Sequence, residues 1–231
     1  MNTPTFDEIF EQYYTLYRAE SEVPNSADDE YTIAMRLANE ALSRWANYDA
    51  TYWNVLYSTN LDDLTGDRTV ITGTVDYDCP TNMRVPGGLV QIKDATGGVV
   101  RRYPVIEPGE VQFQGNDATY AYFTKSLTGW VLHLNPEPDT AINGLFIDYP
   151  YYKMHTEYTT GTSRSEIPNP YFVVHRMLGN RFRASRNPYY ASAMSDAEEA
   201  LKIMQLENNA GTAANPWKVA DKSGTTWGEK R

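Results

Sequence analysis

The chain has 231 residues, a formal net charge of −10 and a single cysteine, Cys79. This length suits one large domain or a domain with an added module, and a lone thiol excludes an internal disulfide. The acidic balance argues against nucleic acid as the main partner. We expect no signal peptide, because no basic stretch precedes an apolar core, and no membrane span, because no window approaches 18 uncharged apolar residues.

Charge and aromatic residues are unevenly placed along the chain. Residues 1–63 hold 12 acids and 3 bases, residues 64–154 hold 10 and 7, and residues 155–231 hold 8 and 10. Such a gradient suits subunits that pack side by side, although it can also arise by chance. Eighteen tyrosines and five tryptophans favour surfaces that are both apolar and polar, such as protein interfaces or sugar-binding faces. Half-exposed tyrosines on β-strands would explain the same composition.

Two helices are predicted at the start of the chain. Thr5 and Glu8 have the spacing of a capping box, which satisfies amides at a helix N-terminus. A second helix is predicted to open at Ser26, capped by Asp29. Apolar residues follow each start at helical spacing. They are Phe6, Ile9, Phe10, Tyr13, Tyr14 and Tyr17 in the first helix and Ile33, Leu37, Ala41, Leu42 and Trp45 in the second. From residue 46 the aromatic residues become dense, and either a longer helix or entry into a sheet is compatible with them.

The middle of the chain has the pattern of antiparallel strands. Candidate strands are separated by turn residues every 8–12 positions, as in a small sandwich or barrel. Asp94 to Gly98 has the residue pattern of a hairpin turn, because glycine adopts the positive φ angles that tight turns need. The candidate strands cover residues 68–77, 89–93, 99–103, 119–125, 130–134 and 145–152.

The last third is predicted to be helical, followed by an extended tail. Pro170 suits the first turn of one helix, and Ser195 with Glu198 has the capping spacing of another that runs to Glu207. After Asn208 the chain is polar, and Trp217 and Trp227 are its candidate anchors on a partner. We therefore predict an α+β protein with a helical unit (1–63), an antiparallel β-sandwich or barrel-like domain (64–154), C-terminal helices (155–207) and a tail (208–231).

The sequence offers little catalytic chemistry. Phosphate-binding, dinucleotide-binding, serine-hydrolase and zinc-protease motifs are all missing from it. His133, His155 and His175 lack partners at helical spacing, so we expect no metal, and we expect no cofactor. Cys79 has no nearby base and is expected to be a plain thiol. Acidic pairs such as Asp76 with Asp78, and Asp139 with Asp148, could arise by chance among 30 acids.

An arginine cluster is the sharpest functional signal. Arg176, Arg181, Arg183 and Arg186 lie within eleven residues, interleaved with Phe182 and followed by two tyrosines. Arginine with aromatic residues is typical of protein hot spots and of phosphate contacts. Cations at a helix C-terminus would also complement its dipole. The acidic N-terminal third is the natural partner, either within the subunit or on a neighbour.

Three stretches of the chain resemble virion proteins of tailed bacteriophages. They are SADDEYTIAMRLANEALSRWANYDATYW (26–53), LNPEPDTAINGLFIDYPYYKM (134–154) and SEIPNPYFVVHRMLGNRFRASRNPYYASAMSDAEEALK (165–202). The order of parts, with a helical start ending in a Trp-rich passage, a β domain and a C-terminal segment that reaches another ring, resembles the head-to-tail connector adaptors of these phages. The resemblance covers about two thirds of the chain and carries over no catalytic residue.

The resemblance implies a non-catalytic subunit made in the host cytoplasm and located in the virion neck. It implies a ring of twelve copies beneath the portal protein and above a tail or stopper protein, with an acidic lumen through which DNA only passes. The tail, with Trp217 and Trp227, would insert into the portal or between neighbours. Arg176, Arg181, Arg183 and Arg186 would make intersubunit or portal contacts. The long β-rich middle departs from compact adaptors, so a stopper, a tail terminator and a tail-tip protein stay open.

Two other functional classes remain compatible with the sequence. The Tyr- and Trp-rich β region would suit a carbohydrate-binding or receptor-binding tail protein, with Trp130 or Trp53 as the aromatic platform. A glycan hydrolase would instead use two carboxylates on a β scaffold, with Asp76 and Asp78 as candidates.

Overall fold

The computed structural model describes residues 3–18, 24–62, 65–115 and 117–212. These residues form four α-helices, three short 3₁₀ turns and nine strands in three small antiparallel sheets. The mixed helix-and-sheet class that the sequence predicts is therefore confirmed, while the strands described do not close into a barrel. Two compact units are present. One, here called the helical unit, combines Met1–Val55 with His155–Arg231, and the other, the β unit, is Leu56–Met154.

The helical unit combines the beginning and the end of the chain, which the sequence predicts as separate units. Backbone amides of Phe6 and Asp7 donate to the carbonyls of Ser163 and Gly161, at 3.0 and 2.9 Å. The Asn39 side chain also holds the backbone of the buried Tyr158, donating to its carbonyl at 2.9 Å and accepting from its N–H at 2.8 Å. The polar run before the C-terminal helices therefore packs on the N-terminal helices.

The first helix begins as the sequence predicts and the second does not. Helix α1 is Phe6–Arg18, and the capping box before it is formed: Thr5 N–H donates to Glu8 at 2.7 Å and Glu8 N–H donates to the Thr5 hydroxyl at 3.3 Å. Helix α2 is Asp29–Ala46 with Asp28 as its N-cap, so the start predicted at Ser26 is wrong. The Asp28 carboxylate accepts from Asn25 N–H at 2.8 Å, and this local turn displaces the helix start.

The aromatic passage after α2 forms turns that anchor the core. Helix α2 ends at Ala46, and 3₁₀ turns follow at Tyr48–Ala50 and Asn54–Leu56 before strand β1. The Trp53 indole N–H donates to the Trp45 carbonyl at 2.9 Å, and the two buried rings lie 5.4 Å apart. Of the two alternatives for this segment, a longer helix or entry into a sheet, the structure therefore shows entry into a sheet.

The C-terminal helices are α3 (Tyr171–Ala184) and α4 (Tyr190–Thr212). Pro170 is the N-cap of α3, close to its predicted place. Helix α4 begins before Ser195, so the capping box predicted there is wrong, and it continues beyond Glu207 into the predicted tail. Trp217 and Trp227 lie outside the described residues.

The β unit contains three sheets of three strands, with orders β1-β9-β3, β2-β7-β6 and β5-β4-β8. All neighbouring strands in these sheets pair antiparallel. The strands are β1 Tyr57–Thr59, β2 Asp76–Asp78, β3 Met83–Pro86, β4 Val90–Lys93, β5 Val99–Tyr103, β6 Tyr120–Lys125, β7 Trp130–Asn135, β8 Phe146–Asp148 and β9 Pro150–Lys153.

One hydrophobic core is shared by all three sheets. Ile92 from β4, Leu132 from β7 and Tyr151 from β9 are all completely buried in it. The inward residues of β4, β6 and β7 alternate with outward ones, which is the period-two pattern of a strand with one buried face.

The strand predicted over 68–77 is mostly wrong. Only its last two residues join β2, and Gly73 turns the preceding chain with φ of +75°. The Tyr77 hydroxyl donates to the Thr74 carbonyl at 2.9 Å and accepts from Ile71 N–H at 3.2 Å. Residues 71–74 therefore form a turn that the Tyr77 hydroxyl holds in place, and not a strand. The strand predicted over 145–152 is divided at Tyr149 into β8 and β9.

Helices α3 and α4 approach closely at Gly179, which yields a stability prediction. A Cβ added there would lie 2.4 Å from Sδ and 2.7 Å from Cγ of Met194. We expect Gly179→Ala to lower the free energy of unfolding by about 1–2 kcal/mol in urea denaturation, because overpacking outweighs the better helix propensity of alanine.

In a Met194→Ala background, Gly179→Ala should not lower the free energy of unfolding, because the clashing atoms are gone. Gly109→Ala is the control, since a Cβ at that position meets open space. Equal effects of Gly179→Ala in both backgrounds would contradict this packing.

Candidate functional site

The four arginines of the cluster fall into two pairs with different surroundings. Arg176 and Arg181 are half-buried and contact acidic residues of the helical unit. Arg183 and Arg186 are exposed at the junction of α3 and α4. The cluster therefore extends from the middle of α3 to the turn that follows it, and only Arg183 and Arg186 face solvent.

Arg181 joins three helices. Its Nη2 lies 2.8 Å from Oε2 of Glu30 in the first turn of α2, and its Nε donates to the Tyr17 hydroxyl of α1 at 3.3 Å. The guanidinium also lies over the Tyr17 ring, 5.4 Å from its centroid. Burial raises the pKa of Tyr13 well above its usual range, and the negative charge of Glu30 raises it further. This arginine is therefore part of the interior of the unit.

Arg176 joins the last two helices. Its Nη1 lies 3.5 Å from Oε1 of Glu198 and 3.6 Å from Sδ of Met194, both on α4. Burial lowers the pKa of the Arg176 guanidinium, although the Glu198 carboxylate opposes that effect. The residue before it, His175, has its Nδ1 3.8 Å from Oδ2 of Asp196 on α4. These contacts hold α3 against α4.

The exposed pair lines an open groove that we call the arginine corner. Its volume is about 460 Å³, and it is lined by Arg183, Arg186, Asn187, Pro188, Tyr190 and Met194. Arg186 adopts a left-handed conformation with φ of +56°, and the next amide, Asn187 N–H, donates to the Phe182 carbonyl at 2.8 Å. Neither Arg183 nor Arg186 has an acidic side chain within ion-pair distance in the described chain.

Exposed tyrosines accompany these two cations. Tyr189 and Tyr190, at the start of α4, are 70% and 46% exposed. Large aromatic side chains are normally covered, and such exposure beside arginine is characteristic of protein-binding surfaces. The arginine corner can therefore offer charged, stacking and apolar contacts together.

A second cluster lies on the outer face of the β2-β7-β6 sheet, and we call it the tyrosine face. It comprises Asp76, Tyr120, Tyr122, Thr124 and His133, which the strand register places side by side. His133 Nδ1 lies 2.6 Å from Asp76 and its Nε2 lies 2.7 Å from the Thr124 hydroxyl. The Tyr122 ring stacks on the imidazole, with 4.5 Å between the ring centroids. The centroid of the Tyr120 ring lies 6.3 Å from that of Tyr122.

The structure also locates the other candidate residues. Asp76 and Asp78 are exposed on either side of the buried Tyr77, as their spacing predicts. Asp139 pairs with Arg101 at 2.8 Å and Asp148 with Lys93 at 2.5 Å, so each has its own cation. Among the residues described, no group of three or more His, Cys, Asp or Glu side chains is arranged to hold a metal ion.

Cys79 and two of the tryptophans are largely covered. Burial raises the pKa of the Cys79 thiol to about 11, which disfavours the nucleophilic thiolate. Trp53 is only 1% exposed. Trp130 is half-buried beneath Lys125, whose ammonium lies 5.5 Å from the ring centroid.

Sequence reasoning missed the partners of two candidate residues. The sequence indicates the acidic N-terminal third as the partner of the arginine cluster, but it does not single out Glu30 as the residue that binds Arg181. The contacts between His133 and Asp76 depend on the pairing of β2 with β7. The turn residues between the strands indicate where strands lie, but they do not indicate the register between one strand and another.

Comparison with protein families and with curated proteins identifies no relative of this chain. No protein-family model matches the chain, and a search among curated proteins finds no match. None of the helices in the described segments is both long enough and apolar enough to cross a membrane.

The two arginine pairs should respond differently to truncation. We expect Arg181→Ala to lower the free energy of unfolding by about 2 kcal/mol, because it leaves the half-buried Glu30 carboxylate without its cation. Arg183→Ala and Arg186→Ala should each change it by less than about 0.5 kcal/mol, because both side chains are exposed.

Urea unfolding of these three single variants, of Glu30→Ala, and of Arg181→Ala combined with Glu30→Ala measures this difference. The free energy of unfolding of the double variant should fall by less than the sum of the decreases in its two single variants. A stability loss shared equally by all three arginines would contradict the division of the cluster.

Proposed function

We propose that this chain is a non-catalytic structural protein of a tailed-bacteriophage virion, a head-to-tail connector adaptor that assembles with its own copies and with other subunits. The observation that carries the proposal is the arginine corner. Three stretches that resemble phage virion proteins support it, and two of them contribute helices α2, α3 and α4 to the same unit.

The arginine corner has the chemistry of an assembly contact. Arg183 and Arg186 are exposed cations on a chain whose net charge is −10, so a neighbouring copy offers them an acidic surface. Tyr189 and Tyr190 add apolar area that protein contacts could cover. A contact between two different surfaces of identical subunits closes into a ring when the rotation between them allows it.

The remaining parts of the proposal follow the resemblance. A ring of twelve copies would lie in the virion neck between the portal protein and a tail or stopper protein, with DNA passing through its lumen. Trp217 and Trp227 would anchor the C-terminal tail on the portal or on a neighbouring copy. Arg176 and Arg181 would support this contact from inside the helical unit, while Arg183 and Arg186 would make it. The β unit would be a small sandwich, because its three sheets share one core.

Charge reversal of the arginine corner tests the proposal. We expect Arg183→Glu combined with Arg186→Glu to reduce assembly at least tenfold, because the contact changes from attractive to repulsive. Light scattering of the full chain, alone and mixed with the portal protein of the same genome, measures this assembly.

The matched control is Arg36→Glu combined with Arg44→Glu, an equal charge change at two exposed arginines of α2. It should assemble like the wild type. A wild-type chain that remains monomeric and binds no virion component would rule out the connector function. Assembly that survives reversal of the arginine corner would rule out this surface.

A carbohydrate-binding or receptor-binding tail protein is the second candidate, and the tyrosine face favours it. Sugar sites combine aromatic platforms with carboxylate acceptors, and Tyr122 lies close to Asp76 through their shared neighbour His133. Trp53, one of the platforms predicted from sequence, is buried and cannot serve.

If this second function holds, Tyr122→Ala should abolish glycan binding on a glycan array. Tyr189→Ala, a change at an exposed tyrosine of the helical unit, should leave the binding unchanged. A wild-type chain that binds no glycan on the array would remove this candidate.

A further inference from the structure

Strand β5 lies at the edge of its sheet. In the order β5-β4-β8 it pairs only with β4, through a register that sets Val90 opposite Tyr103 and Ile92 opposite Arg101. Across the described segments, no backbone hydrogen bond joins residues 99–103 to an element other than β4. The free edge ends at the next residue, Pro104, whose carbonyl accepts from Ala121 N–H of β6 at 2.8 Å. Alternate amides and carbonyls of an edge strand point away from its neighbour, so β5 can accept another strand.

The exposed side chains of this edge include a valine and an arginine. Val100 is 52% exposed, and Arg102, two residues on, is also exposed. Residues at this spacing share one face of a strand. Both line an open groove of about 680 Å³, together with Pro104, Thr119 and Pro136. An apolar side chain and a cation are therefore presented side by side.

Arg102 is the free charge of this groove. Its neighbour Arg101 is held by Asp139 at 2.8 Å, and the Arg101 guanidinium lowers the pKa of that carboxyl. Within the described chain, Arg102 has no carboxylate at ion-pair distance. A partner strand would therefore bind most tightly with a carboxylate side chain opposite Arg102.

A second copy of β5 is a poor occupant of the same edge. Full antiparallel pairing of two β5 strands is centred on Arg101, so it sets Arg101 opposite Arg101 and Val100 opposite Arg102. Like charges directly opposite each other destabilise a sheet, and charged side chains commonly prevent edges from self-pairing. The charge pattern of the edge thus rejects its own copy and favours an acidic strand.

We propose that the β5 edge is a strand-addition site for an extended acidic segment of another protein. The segment pairs antiparallel with β5 and carries a carboxylate side chain opposite Arg102 and an apolar side chain opposite Val100. Main-chain hydrogen bonds supply the affinity and these two side chains supply the selectivity. This site is independent of the arginine corner and extends the proposed function by a second contact.

Three labelled peptides test the site on the full chain by fluorescence anisotropy. The first is acetyl-Thr-Glu-Thr-Val-Thr-amide, whose glutamate and valine have the required antiparallel spacing. The second replaces glutamate with lysine. The third keeps the side chains of the first but carries N-methyl groups on the alternate residues whose N–H groups face β5, which removes the main-chain donors on that side.

We expect the glutamate peptide to bind at least fivefold more tightly than the lysine peptide and the N-methylated peptide to lose binding. Arg102→Glu should reverse the preference between the first two peptides. Arg36→Glu, an equal charge change on the helical unit, should leave that preference unchanged.

Three outcomes would overturn the proposal. They are equal affinity for the glutamate and lysine peptides, binding that survives N-methylation, and a dimer of the chain that the glutamate peptide dissociates. The last would show that a second copy occupies the edge. Loss of ring assembly bears only on the connector function, because the peptides bind a single chain.

Discussion

The ion pair between Glu30 and Arg181 is the interaction on which the helical unit depends. It joins the first turn of α2 to the last turn of α3, across 151 positions of sequence. The same arginine donates to the Tyr17 hydroxyl of α1 and lies over the Tyr17 ring. Both charged side chains are three-quarters or more covered, so each needs the other. The pair also removes Arg181 from the arginine cluster and leaves Arg183 and Arg186 for external contacts.

The two units present different chemistries to partners. The arginine corner of the helical unit offers two cations with exposed tyrosines, which suits a broad contact between folded surfaces. The β5 edge of the β unit offers backbone hydrogen bonds with one cation and one apolar side chain, which suits a single extended segment. A connector that contacts both folded rings and extended arms would use both kinds of surface.

The features predicted correctly are those set by neighbours in sequence. The capping box of Thr5 and Glu8 spans three residues, and β5 follows a turn whose glycines determine where the hairpin bends. The strand expected over 68–77 failed because the Tyr77 hydroxyl bonds to the preceding turn, which no alternation of residue types reveals. The arginine cluster was recognised, but its division depends on Glu30 and Glu198, which only the packing of four helices brings into reach.

The helical unit is interrupted in sequence by the β unit, and this order has a consequence during synthesis. All of the β unit is made before α3 emerges, so its core can form while α1 and α2 still await their partner helix. At ordinary ribosomal speeds that wait lasts roughly 6 to 25 s. Throughout it, α1 and α2 lack the helix whose Phe182 later packs against Tyr17 and whose Arg181 later binds Glu30. Chains that terminate early would therefore aggregate through these helices or be held by chaperones.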